Sequence, residues 1–113
     1  MLGVRPLLVL AALAFTTACG PVQSTSFLMD AETMLEAART AQAEKLAPYE
    51  WTAANLYLHK SKEEVGYSDF EEAVDYARKA VEFATRARDA AVRAVRRSEV
   101  PANTAGTPTA RPE

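Results

Sequence analysis

The chain has 113 residues with 13 basic and 15 acidic side chains, one histidine, one cysteine and a formal net charge of −2. That length supports one modest core, and the charge balance argues against nucleic acid as the main partner. A lone histidine excludes a multi-histidine metal site, and a lone cysteine excludes an internal disulfide.

Met1 to Arg5 carries one positive charge, Pro6 to Phe15 is apolar, and Thr16-Thr17-Ala18 is small. This three-part layout predicts a signal peptide over residues 1–18. The apolar run is shorter than the roughly 20 residues that span a bilayer as a helix. Phe15-Thr16-Thr17-Ala18-Cys19-Gly20 resembles the lipobox of bacterial lipoproteins, with Thr16 where that pattern prefers an aliphatic residue. The resemblance implies cleavage between Ala18 and Cys19, a diacylglycerol on the Cys19 thiol, and no other cofactor. Lipoproteins of this type carry two or three acyl chains, which bind a membrane stably where one does not. Gly20 in place of an aspartate implies, by the same resemblance, the periplasmic face of the outer membrane.

Gly20 to Leu28 is small and polar at first, and residues 19–28 are expected to form a lipidated tether. Nine extended residues reach at most ~30 Å. Residues 29–100 are alanine-rich, with one glycine, Gly66, and one proline, Pro48. They predict an all-α fold, a three-helix antiparallel bundle with helices at about 30–46, 48–65 and 69–100. Asp30 suits an N-cap, and Ala31, Met34, Leu35, Ala38, Ala41 and Leu46 give the first apolar stripe. Pro48 suits the first position of the second helix, whose stripe is Trp51, Ala54, Leu58, Ser61 and Val65. Ser68 with Glu71 reads as a capping box opening the third helix. Along it Phe70, Ala77, Ala84 and Ala91 recur every seven residues, with Val74, Val81, Arg88 and Val95 between them and Ala73, Ala80, Ala87 and Ala94 alongside, a nearly heptadic seam rich in alanine. At about 30 residues, ~45 Å, the helix should overhang its neighbours. The overhang carries Ala87, Ala91, Ala94 and Val95 and is a candidate partner-binding surface for a second copy or another protein, as are Tyr49 and Trp51.

Charge on the third helix follows its dipole. Asp69, Glu71, Glu72 and Asp75 lie in the first turns; Arg86, Arg88, Arg93, Arg96 and Arg97 lie in the last. The pairs Asp75–Lys79, Glu82–Arg86 and Asp89–Arg93 have i,i+4 spacing. The alternative to a solvated, dipole-matched face is a basic patch for an acidic partner. Residues 101–113 hold three prolines and no large apolar side chain, and are expected to be a disordered tail.

Ser68 to Glu82 resembles the second helix of a tetratricopeptide repeat, with Ala73 and Ala80 at its small packing positions. One TPR-like hairpin cannot form the concave groove of stacked repeats. Ala37 to Ala91 looks like a family of short bacterial envelope lipoproteins known only as a domain of unknown function. Its members occur alone or joined to an OmpA-like peptidoglycan-binding domain. No OmpA-like sequence follows here, so direct peptidoglycan binding stays open.

No residues assemble a catalytic constellation. There is no Gly-x-Ser-x-Gly and no phosphate-cradling glycine loop. His59 stands alone beside Lys60 and Lys62. Glu63-Glu64 and Glu71-Glu72 are adjacent on helices and point apart. The expectation is not an enzyme, and no catalytic or metal-binding residue. It is an outer-membrane lipoprotein acting as an adaptor or structural module in the cell envelope, meeting the membrane through its lipid. The alternatives are a homo-oligomeric spacer built on the alanine seam and a small-ligand carrier.

Overall fold

The computed structural model describes residues 3–16 and 19–100. Among these the chain forms five helices and no strand: α1 Val4–Thr16, α2 Cys19–Thr40, α3 Ala43–Leu46, α4 Pro48–Gly66 and α5 Phe70–Glu99. The three long elements α2, α4 and α5 pack on one another, and α3 is a single turn against α4 and α5. Residues 3–11 of α1 and its approach are exposed throughout.

α4 and α5 are antiparallel, as their short connection requires. Ser61 meets Ala73, Tyr57 meets Tyr76 and Tyr49 meets Phe83. α2 runs parallel to α5: Phe27 lies under Arg78, Leu35 packs with Ala84, and Ala38 packs with Ala87 and Ala91.

The core is built largely of alanine. Ala31, Ala38, Ala54, Ala73, Ala77, Ala80, Ala84, Ala87 and Ala91 are fully buried. Methyl-sized side chains let helix backbones approach closely, but each buries little area, so stability depends on the length of the seam. Trp51 supplies bulk. It packs against one cluster of Ala38, Ala43, Ala47, Ala87 and Ala91 and a second of Leu35, Ala54 and Ala84.

Three expectations are corrected. Residues 19–28 are helical rather than an extended tether, because α2 begins at Cys19. Its first turns are held by packing: Ser24 is buried, and Phe27 lies beneath the Arg78 guanidinium at 4.8 Å. Pro21 fits the first turn, where a missing N–H costs nothing. The helix expected over 30–46 is broken at Gln42, which adopts φ 60° and turns the chain from α2 into α3. The cap of α5 is Asp69, one residue past the expected Ser68; its carboxylate accepts the Glu72 N–H at 3.3 Å, while its own N–H goes to the Glu64 carbonyl, so it is a single cap and not a reciprocal box. The tail expected at 101–113 lies outside the described residues.

Candidate functional site

Two regions bear on function: the start of α2, and the surface of the α4–α5 pair with the end of α5. Ala18 falls outside the described residues. Cys19 is the first residue of α2, so the segment preceding it and the packed helices meet at that position.

The partner-binding residues expected on the third helix divide. Ala87 and Ala91 are fully buried under α2, α3 and α4 and offer no surface. The early start and parallel course of α2 carry it alongside the stretch of α5 that was expected to overhang. Trp51 is likewise turned into the core. Ala94 is half-buried, while Val95, 39% exposed, and Tyr49, 73% exposed, remain at the surface. Sequence reasoning passed over Val92, which is exposed beside Val95. The spacing of three residues on an exposed helical face was the signal available.

The outer side of α4 and α5 carries a row of aromatic rings. Tyr57 stacks on Phe83 with centroids 5.4 Å apart and on Tyr76 at 6.2 Å, while Tyr49 meets Phe83 edge-on at 6.4 Å. Lys79 lies over Tyr57 and Tyr76, and Arg86 over Phe83. Lys79 thus caps rings, and its expected carboxylate, Asp75, faces Arg78 instead at 4.0 Å. Arg86 does pair with Glu82, as expected. Asp89 is held by Arg88 at 2.8 Å, not by Arg93.

Elsewhere, Lys60 bridges Glu64 at 2.9 Å and Glu63 at 3.4 Å. The Glu64 hydrogen bond, ahead of an opposing desolvation and the Glu63 contact, holds the Lys60 ammonium above its ordinary pKa. Lys62 crosses to Glu32 of α2 at 2.7 Å. His59 is exposed. Among the described residues no group of three histidine, cysteine or carboxylate side chains could hold a metal ion. No described helix is long and apolar enough to cross a membrane.

At the far end of α5 a groove of about 390 Å³ runs between Thr40, Ala41 and Gln42 on one side and Val92, Val95 and Arg96 on the other. The left-handed turn at Gln42 forms one wall. A second groove, about 330 Å³, lies between Gln23 of α2 and Phe70, Glu71, Val74, Asp75 and Arg78 of α5.

The model of the family described as "Domain of unknown function (DUF4398)" matches residues 26–102. The chain belongs to the DUF4398 family. The match takes in α3, α4, α5 and most of α2, so the DUF4398 domain coincides with the packed helices. It begins seven residues past Cys19 and leaves α1 outside. No curated protein matches the chain, and no solved structure does.

Proposed function

We propose that this DUF4398 chain is a cell-envelope lipoprotein, anchored by acyl groups on Cys19, whose helices act as an adaptor or structural module. One observation carries the reading. The only cysteine follows a charged, apolar and small-residue series directly and stands at the first residue of the packed helices. α1 supports it. Leu7, Leu8, Val9 and Leu10 are all exposed, an apolar rod with no protein partner among the described residues. Such a segment suits the lipid phase and removal from the mature chain.

The packed part is read as a three-helix up-down-up bundle, a TPR-like α4–α5 hairpin with α2 laid along it. The outer membrane is the expected site, from Gly20 after the cysteine. The adaptor reading is preferred to the homo-oligomeric spacer because Ala77, Ala80, Ala84, Ala87 and Ala91 are consumed inside the chain. Few small side chains of α5 are left for an inter-chain seam. The two grooves described above are open rather than enclosed, which disfavours the small-ligand carrier.

The test is metabolic labelling with an alkyne fatty acid in a Gram-negative host. The wild-type chain should take up label and fractionate with membranes. Cys19→Ser should take up none and either be released or accumulate at precursor length. An unlabelled wild-type chain would sink the proposal.

A further inference from the structure

We propose that the groove at the C-terminal end of α5 docks an acidic, amphipathic peptide segment of a partner protein. The inference rests on the adaptor reading and names the chemistry of its partner.

Two independent observations meet at Arg96, which lines the groove, with Arg93 and Arg97 as its neighbours on α5. The first is the distribution of free cations. Lys60 and Lys62 of α4 are paired with carboxylates, and so are Arg78, Arg86 and Arg88 of α5. Lys79 lies over two tyrosine rings. Arg5 of α1 and Lys45 of α3 have neither a salt bridge nor a ring partner among the described residues, and on α4 and α5 only Arg93, Arg96 and Arg97 share that state. All three sit in the last two turns of α5. The nearby carboxylates offset them only in part: Asp89 is held by Arg88 and Glu36 by Arg39, which leaves Glu44 and Glu99. Glu44 of α3 and Glu99 make no salt bridge among the described residues.

The second observation is apolar. Val92 and Val95, 37% and 39% exposed, line the groove with Ala41, and Arg96 forms its rim. Dipole matching explains cations in a last turn. It does not explain an apolar trough beside them. A trough between two helices with a cationic rim complements a segment bearing aliphatic anchors at helical spacing and carboxylates around them. Its concavity fits side chains better than it fits a flat bilayer. Because α2 is parallel to α5, the groove also lies at the opposite end of the molecule from Cys19.

The full-length chain in neutral detergent micelles is titrated with a labelled peptide of roughly fourteen residues, leucines at i, i+3, i+4 and i+7 and glutamates elsewhere, followed by anisotropy. Saturable binding is expected. Arg93→Gln with Arg96→Gln, and separately Val95→Gln, should each weaken it about ten-fold or more while circular dichroism is unchanged. Raising salt from about 0.05 M to about 0.5 M should weaken it as well. No binding, binding indifferent to both variants, or equal binding of a peptide with lysine for glutamate overturns the proposal. So does tip-dependent capture of phosphatidylglycerol vesicles, which would assign the patch to lipid. A dimer dissolved by Val95→Gln overturns it too, by assigning the patch to a second copy. None of these outcomes touches the Cys19 labelling result, so failure here and failure of the anchor are told apart.

Discussion

Ser68 holds a left-handed conformation, φ 63°, at the end of α4. Its N–H reaches the Val65 carbonyl at 3.0 Å, and the Asp69 N–H reaches Glu64 at 2.9 Å, the paired bonds of a Schellman ending. Glycine is the usual occupant of that position because a Cβ is disfavoured there. Ser68→Gly should therefore raise the unfolding free energy by about 0.5–1 kcal/mol, read by urea denaturation. Ser61 makes the opposite case. Its hydroxyl is fully buried and donates to the Ala73 carbonyl at 2.6 Å, joining α4 to α5. Ser61→Val removes the donor and adds bulk where backbones lie close, and should cost about 1–3 kcal/mol by the same measurement. Lys60 brings a pH dependence with a definite sign. Its folded pKa is raised, so its stabilisation is complete below the unfolded lysine value near ~10.4 and is lost as pH climbs through the higher folded value. Lys60→Met should remove that part of the alkaline fall in melting temperature and leave the curve between about pH 6 and 9 the same shape.

At the level of elements, the alanine seam decides how closely α5 can sit against α2 and α4. Ala84 touches both Leu35 and Ala54 and has no exposed surface. Ala84→Leu would force these backbones apart. It should cost about 3 kcal/mol or unfold the chain, measured as a fall in the thermal midpoint, whereas Ala94→Leu on the half-buried edge should be nearly neutral. Two of the three long helices were legible from their punctuation. Pro48 opens α4, Gly66 ends it, and Tyr67 to Asp69 separate it from α5, so both lie within a residue of their expected ends. The start of α2 was not legible. Gly-Pro-Val-Gln-Ser-Thr-Ser has poor helix propensity, and packing keeps it helical, with Ser24 buried and Phe27 against Arg78 of α5. The break at Gln42 was hidden for a related reason. Nothing in Thr-Ala-Gln-Ala signals a left-handed residue, and the turn follows from seating Ala43 and Ala47 against Ala87 and Ala91. That unseen geometry also moved the candidate surface. Ala87 and Ala91 fit the seam pattern, but a pattern of small residues does not say whether the helix that fills it comes from the same chain.

For the whole molecule, the packed unit should extend back to the opening turns of α2. Deleting residues 1–18 should leave the unfolding midpoint unchanged, because residues 3–11 of that segment are exposed. Deleting residues 1–28 removes Ser24 and Phe27 and should lower the midpoint by several degrees in a thermal scan of the same chain. A true tether would give two identical curves. The anchor proposed at Cys19 would then act through a helix and not through a loose tether. Ten helical residues span only ~15 Å and transmit orientation, where ten extended ones would allow the domain to wander. The parallel course of α2 and α5 has a further consequence. The chain enters the bundle at one end and leaves it at the other, with the 30 residues of α5 between. The molecule is thereby a ruler. Whatever is joined after Val100 stands about 45 Å from whatever is joined before Cys19, and that gap can change only by lengthening all three long helices together, in steps of about 5.4 Å.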